Sequence, residues 1–212
     1  MAKVLANKLR SVIGSVISDS QSAFTKGCQF LDGILVPNEV VDEARKRNKK
    51  LLLFKVNFEK AYDSIYWNYL EEVMVKMGFP TLWHKWIKEC VQTTTTSVLV
   101  NGSPTNEFPL RRGLRQGDPL SPFLFLLAVE GFNVLMEALT VNNLFTGYKL
   151  GSHDPVVVSH LQFADDTLIL CEKSWANNRA LRAILLLFEE LSGLKVNFSK
   201  SSLVGCRRLL WF

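Results

Sequence analysis

The sequence predicts an α+β fold in which a small sheet carries helices packed on one face. Leu51 to Val56 is a short apolar run with little periodicity, which is typical of a buried central strand. Residues 156–171 form two apolar runs that meet at Asp165-Asp166, and this pattern predicts a β-hairpin. No low-complexity segment or repeat divides the chain, which is expected to form one continuous body of helices and strands.

Apolar residues at helical spacing indicate five helices, at residues 2–17, 30–47, 61–77, 120–139 and 178–191. The third is expected to end at Gly78 and Pro80, because glycine suits a helix C-terminus and proline prevents continuation. Between the third and fourth helices, residues 93–110 read as an inserted hairpin. Asn101-Gly102 supplies its tight type I′ turn.

Composition excludes several classes of protein. With 48% hydrophobic and 21% charged residues, the chain is neither disordered nor collagen-like. The net charge of +5 permits a nucleic-acid partner without requiring one. Four cysteines without a C-x-x-C pair, and three histidines, argue against a zinc site or a disulfide framework and favour a reducing compartment.

The N-terminus shows no long apolar segment of the kind that starts a signal peptide. The most apolar stretch, Pro122 to Val129, is too short to span a bilayer. We therefore expect an intracellular protein, in the nucleus or the cytoplasm, that is not secreted and has no membrane partner.

The Phe163-Ala164-Asp165-Asp166 segment is the sharpest chemical feature of the sequence. Two adjacent carboxylates can simply be a polar hairpin turn, because aspartate suits turns. The alternative is a metal site, since adjacent like charges are unfavourable without a cation and oxygen ligands suit Mg²⁺. A third carboxylate is expected at the end of the neighbouring strand, but the residue there is Asn57.

Five motifs follow one another along nearly the whole chain: Gln21-Ser22-Ala23-Phe24, Phe58-Glu59-Lys60-Ala61-Tyr62-Asp63-Ser64, the loop 112–122, Phe163-Ala164-Asp165-Asp166, and Gly193-Leu194-Lys195-Val196-Asn197 with Lys200-Ser201. Together they resemble the reverse transcriptase domain of non-LTR retrotransposons, the long interspersed elements abundant in plant genomes. Each motif alone is moderately specific, whereas five in this order and spacing make coincidence hard to sustain.

This resemblance implies a right-hand polymerase palm with partial fingers and without a thumb. Residues 1–212 would be one reverse transcriptase fragment, with about 1–50 resembling fingers and 51–205 mainly palm. The implied reaction is RNA-directed DNA synthesis from dNTPs, on an RNA template and a DNA primer. The implied cofactor is a pair of Mg²⁺ ions, or Mn²⁺ in their place.

The resemblance also assigns roles to residues of the hairpin and the following helix. Asp165 matches the metal-binding carboxylate and Asp166 its partner, so both are candidate catalytic and metal-binding residues. Tyr62 matches the aromatic "steric gate", whose ring crowds a ribose 2′-hydroxyl. A tyrosine packed in the core is the alternative for that position.

Further substrate contacts are implied in the loops. Gln116 and Gly117 match the pair that lies under the nascent base pair, and Arg115 matches a phosphate or template contact. A solvated basic loop is the alternative for the arginine. Lys26 would reach the triphosphate, and Lys200 would act near the leaving pyrophosphate.

The chain departs from the family at Asn57, where the first catalytic aspartate is expected, and at Cys28, where a basic residue is expected. It also starts without the endonuclease domain and stops before the thumb that the resemblance would place around it. We therefore expect an impaired copy, or alternatively a catalytically dead nucleic-acid-binding remnant or pseudogene product. A palm-like nucleotide cyclase is a third option, and the loop 112–122 argues against it.

Overall fold

The computed structural model describes residues 1–21, 23, 32–93, 95–151 and 154–205. Its helices are α1 (Ala2–Val12), α2 (Asp32–Lys46), α3 (Ala61–Ser64), α4 (Trp67–Lys76), α5 (Thr81–Gln92), α6 (Ser121–Val141) and α7 (Trp175–Ser192). Its strands are β1 (Leu51–Val56), β2 (Thr95–Thr96), β3 (Leu99–Val100), β4 (Ser103–Pro104), β5 (Phe108–Pro109), β6 (Tyr148–Leu150), β7 (Val156–Val158), β8 (His160–Phe163), β9 (Asp166–Glu172) and β10 (Ser202–Gly205).

The main sheet has four antiparallel strands in the order β10-β1-β9-β8, so β1 is central, as predicted. Its register against β9 runs from Leu51 opposite Glu172 to Val56 opposite Thr167. Successive side chains of a strand point to opposite faces. Because both faces of β1 carry apolar residues, the run 51–56 shows little alternation.

The larger core lies on one face of this sheet, beneath α6 and α7. The middle of α6 is buried nearly all round, and Phe132 stacks edge-on against Phe188 of α7 at 5.3 Å between ring centroids. The length and hydropathy of α6 would also suit a membrane span, a criterion that a buried core helix meets equally well. The helix continues past Glu130 to Val141. Its hydrophobic character is explained by the burial of its apolar surface in the core.

The prediction that helices cover only one face of the sheet is wrong. On the opposite face, Val40 and Ala44 of α2 form a second buried cluster with Leu51, Leu170 and Tyr148. Alternate residues of β1 and β9 are apolar on this side too, so they require a cover of their own. The cover does not extend to the end of the strands where the hairpin turns, and this leaves part of that face open.

The predicted helix 61–77 is divided in the structure. Ile65 and Tyr66 adopt an extended conformation between α3 and α4 because other segments use their backbone groups. The amide of Gly113 donates to the Ile65 carbonyl oxygen at 2.8 Å, and the Tyr66 amide donates to the Ser192 carbonyl oxygen at 2.9 Å. Helical spacing could not reveal these long-range bonds.

The structure differs from the sequence prediction in two further elements. Helix α5 follows Pro80 directly, although no helix was predicted there. Strand β7 pairs with β6 rather than with β9, so the predicted hairpin 156–171 reduces to β8 and β9. The inserted hairpin is confirmed, since Asn101 and Gly102 have φ angles of 51° and 82°, as a type I′ turn requires.

Burial of His160 makes stability depend on pH. Its imidazole is 6% exposed, and desolvation lowers its pKa from 6.5 to about 4. Between these two pH values the histidine is protonated in the unfolded chain and neutral in the folded protein. The free energy of unfolding therefore falls as the pH drops from about 6.5 towards 4. At pH 5 the loss is on the order of 2 kcal/mol.

A His160→Gln variant should therefore lose less stability between pH 7 and pH 5, as measured by urea unfolding. Burial raises the pKa of Glu130, which acts in the opposite direction but equally in both proteins. Parallel pH profiles for the two proteins would contradict the assignment to His160.

Candidate active site

The hairpin between β8 and β9 presents two carboxylates at its tip. Phe163 pairs with Asp166, so Ala164 and Asp165 form a two-residue turn. Ala164 has a φ angle of 52°, a left-handed conformation that is uncommon for a residue with a Cβ atom. The turn therefore needs support from outside the hairpin, and Asp165 is left exposed at its tip.

Gln21 supplies part of that support. Its side chain is 2% exposed, and its Oε1 atom accepts hydrogen bonds from the amides of Ala164 at 3.2 Å and Ala23 at 3.0 Å. The Gln162 amide also donates to the Ser20 carbonyl oxygen at 2.7 Å. The segment 18–21 thus runs beside β8 and braces the turn, a role that the sequence motif did not reveal.

A buried acid anchors this stretch to α6. Glu130 is 7% exposed and accepts hydrogen bonds from the Ser18 amide at 3.1 Å and from the Asn133 side-chain amide at 2.9 Å. The Ser20 hydroxyl donates to Oδ1 of Asn133 at 3.1 Å. Through these bonds the position of the hairpin turn depends on the core helix.

Asn57 follows β1 directly, at the end of the strand that borders the hairpin. Continuing the register of β1 and β9 by one residue places Asn57 beside Asp166. Its backbone is held on the other side, because its amide donates to the Ser201 hydroxyl at 3.1 Å and its carbonyl oxygen accepts from the Asn197 amide at 2.7 Å. The structure thus brings position 57 and the acidic turn together.

Lys55 forms an ion pair with Asp166 that the sequence analysis did not anticipate. The Lys55 Nζ atom lies 3.0 Å from Oδ1 and 3.1 Å from Oδ2 of Asp166, and both side chains are nearly half exposed. The available signal was a single charged residue in an otherwise apolar strand, and only the strand register shows which group it meets.

Tyr62 lies in α3, with its ring stacked on Phe125 at 4.8 Å between centroids and 19° between planes. The phenol is only partly buried, and desolvation followed by the negative charge of Asp165 raises its pKa. One side of the ring thus packs against the core while the hydroxyl end lies in the field of the acidic turn. The stacking on Phe125 supports the core-packing interpretation, and the substrate contact stays a prediction.

The loop 112–119 docks on α3 and on the start of α4 through its backbone. The Leu114 amide donates to the Tyr62 carbonyl oxygen at 2.6 Å, and the Trp67 indole donates to the Gly113 carbonyl oxygen at 2.7 Å. Gln116 reaches Oδ1 of Asp63 with its side-chain amide at 3.4 Å. This docking brings Gln116 to α3, the helix that carries Tyr62.

The structure places the other residues predicted to contact substrate on exposed loops, or does not describe them. Arg115 and Gly117 are exposed in the loop, and Gly117 has a φ angle of 86°. Lys200 is exposed in the turn whose Asn197 also holds the backbone of Asn57. Lys26 and Cys28 lie outside the described residues.

The side chains at the turn match a divalent cation in ligand type. Asp165 and Asp166 offer carboxylate oxygens and Asn57 offers an amide oxygen, all of which are hard donors. Within the described part of the chain, no three histidine, cysteine, aspartate or glutamate residues form a cluster suited to a metal ion. The donor set therefore fits Mg²⁺ in kind and carries one negative charge fewer than three carboxylates would.

Comparison with known proteins identifies the family. Residues 1–210 match the model described as reverse transcriptase (RNA-dependent DNA polymerase), so the chain belongs to that family. Polymerases of this family generally use divalent metal ions. The predicted division at residues 50 and 51 into fingers and palm stays a prediction.

Relatives from retrotransposons confirm the predicted resemblance. The chain is 28% identical over 202 residues to the "Transposon TX1 uncharacterized 149 kDa protein" of Xenopus laevis, covering 95% of this chain and 15% of that protein. It is 28% identical over 181 residues to a retrovirus-related Pol polyprotein from the type-1 retrotransposable element R2 of Popillia japonica, covering 83% of this chain and 24% of that protein. The chain thus spans about a quarter or less of these relatives.

A solved structure confirms the polymerase fold. A telomerase from Candida tropicalis, determined in complex with a TWJ fragment of telomeric RNA, superposes with a TM-score of 0.63 at 15% identity. The match covers 97% of this chain and 33% of the telomerase chain. At this identity the similarity concerns the fold alone.

Replacing Gly113 by alanine should destabilise the site more than replacing Gly117. Both residues have φ angles near +90°, but a Cβ atom at Gly113 would lie 2.7 Å from the Asp63 carbonyl oxygen, whereas Gly117 has nothing within 4 Å. We expect Gly113→Ala to lower the free energy of unfolding by about 2 kcal/mol more than Gly117→Ala, measured by urea unfolding. Equal losses would show that the loop does not dock on α3 as described.

Proposed function

We propose that this chain is the polymerase domain of a retrotransposon protein and that its site is built for RNA-directed DNA synthesis. The observation that carries the proposal is the register of β1 and β9, which puts position 57 beside the acidic turn 165–166, where the negative charge of Asp165 also raises the pKa of Tyr62. In the proposed reaction the primer 3′-hydroxyl attacks the α-phosphate of a dNTP and pyrophosphate leaves.

Asp165 and Asp166 are the residues that would hold Mg²⁺. When bound, Mg²⁺ neutralises charge on the triphosphate and favours deprotonation of the primer hydroxyl. Gln21 holds the backbone of the turn that carries both carboxylates, and a site of this kind needs such a rigid support.

The groups around the turn would position the substrates. Tyr62, fixed by its stacking on Phe125, would exclude a ribose 2′-hydroxyl and so favour dNTPs over rNTPs. Gln116 and Gly117 would lie under the nascent base pair, where glycine allows close approach of the backbone. Arg115 would contact the RNA template or the DNA primer.

Two lysines complete the proposed substrate site. Lys200 would lie near the leaving pyrophosphate, since its turn is hydrogen-bonded to the segment that follows β1. Lys26 is proposed on the sequence motif alone as a contact to the triphosphate.

Asn57 is proposed to reduce the activity of this chain. An asparagine contributes one neutral carbonyl oxygen, and its NH₂ group repels a cation. Loss of one negative ligand beside two dications raises the barrier by several kcal/mol, which corresponds to about a thousandfold in rate.

Restoring the carboxylate tests this proposal. The Asn57→Asp variant should extend a DNA primer on an RNA template with Mg²⁺ at least about a hundredfold faster than the parent chain. An Asn57→Asp, Asp165→Asn double variant should return to the parent rate. Equal rates for the parent and the Asn57→Asp variant would refute the role given to position 57.

The same substitution distinguishes polymerase activity from a second candidate function, which the asparagine at position 57 favours. If neither chain extends the primer but both bind an RNA–DNA hybrid with an affinity that falls steeply with salt, the chain is a nucleic-acid-binding remnant. Absence of binding at low salt would exclude this candidate as well.

The specificity role of Tyr62 can be tested in the Asn57→Asp background. Tyr62→Val should lower the preference for dNTPs over rNTPs, measured as a ratio of kcat/KM, by about 10- to 100-fold because the crowding ring is gone. Tyr62→Phe keeps the ring and should retain the preference. A Tyr62→Val variant with unchanged preference and lowered stability would assign the residue to core packing alone.

A further inference from the structure

We propose that Lys55 is an internal counter-cation of the acidic turn, which competes with a divalent metal ion for Asp166. This inference rests on the proposed function, because it concerns the same two carboxylates. It adds a residue that acts on metal affinity without itself being a metal ligand.

The strand register places Lys55 and Asp166 side by side on one face of the sheet. Lys55 pairs with Leu168 across β1 and β9, so its side chain points to the same face as Asp166, two residues along β9. Such diagonal neighbours on one face lie within reach of a long side chain. The ammonium group lies within 3.1 Å of both carboxylate oxygens, so a cation binding to Asp166 meets it directly.

The cover of the sheet leaves this pair accessible. Leu53 and Leu168 pack beneath α2 and β6, whereas Lys55 and Asp166 retain 46% and 47% of their side-chain exposure. A lysine at this point can therefore reach the acidic turn, and can also swing away into solvent when a cation takes its place.

The charge balance shows why the effect matters in this chain. Asp165 and Asp166 contribute two negative charges, Lys55 returns one positive charge, and Asn57 contributes none. The site thus carries a net charge of about −1, where a carboxylate at position 57 would make it −2. A single positive charge this close to a bound dication weakens binding by an amount comparable with the loss of one carboxylate.

The Lys55–Asp166 ion pair contributes little to the stability of the fold. Its effect on cation affinity can therefore be measured in a folded variant. Exposed ion pairs stabilise proteins by about 1 kcal/mol or less. Removing Lys55 should therefore leave the fold intact while changing the affinity for cations. The pair Lys88–Glu71, at 3.5 Å and with similar exposure, offers a matched control away from the hairpin.

The experiment measures Mn²⁺ binding by electron paramagnetic resonance of free Mn²⁺, a readout that does not require polymerase activity. It compares the parent chain with Lys55→Met, Lys55→Arg and Lys88→Met, and repeats all four in the Asn57→Asp background. We expect Lys55→Met to lower the Kd for Mn²⁺ about tenfold in each background, with little change in the other two variants. An Asp165→Asn, Asp166→Asn variant sets the level of non-specific binding.

The outcomes separate this inference from the proposed function. If the Asn57→Asp variant binds Mn²⁺ and extends primers while Lys55→Met has no effect, the role of Lys55 is refuted and the polymerase proposal stands. A tenfold gain shared by Lys88→Met would also refute it, since overall charge would then be the cause. If no variant binds Mn²⁺ above the level of the double Asp→Asn variant, both proposals fail.

Discussion

The antiparallel pairing of β1 with β9 is the constraint on which the rest of this structure depends. Its register, from Leu51 opposite Glu172 to Val56 opposite Thr167, decides which side chains share a face. A shift of one residue would exchange the two faces of β1, burying Lys55 and exposing Phe54. Because both faces are packed, such a shift is strongly disfavoured, and the juxtaposition of position 57 with the acidic turn follows from core packing.

The turn itself is held by polar groups rather than by its own sequence. Ala164 adopts a left-handed conformation that asparagine or glycine would accept more easily, and the buried Oε1 atom of Gln21 bonds to its amide. Ser18, Ser20 and Asn133 connect that support to the buried Glu130 of α6. These hydrogen bonds hold the hairpin in one defined position, while the Nε2 atom of Gln21 is buried without a partner among the described residues.

Electrostatics distinguish this chain from a site with three carboxylates. Asn57 removes one negative charge, and Lys55 compensates another across the strand pair. Under the proposed function, both effects would reduce the attraction for a dication. The polymerase fold and the charge of the proposed metal site can therefore vary independently, because packing and site charge depend on different residues.

The sequence by itself determined the family, the central strand, the type I′ turn at Asn101-Gly102 and the acidic hairpin, since these depend on local spacing and turn chemistry. Only the tertiary structure decided that α2 covers the second face, that Ile65 and Tyr66 interrupt a helix, and that Lys55 reaches Asp166. The physical reason is that these features arise between segments far apart in the chain, where hydrogen bonds and apolar contacts override local preference.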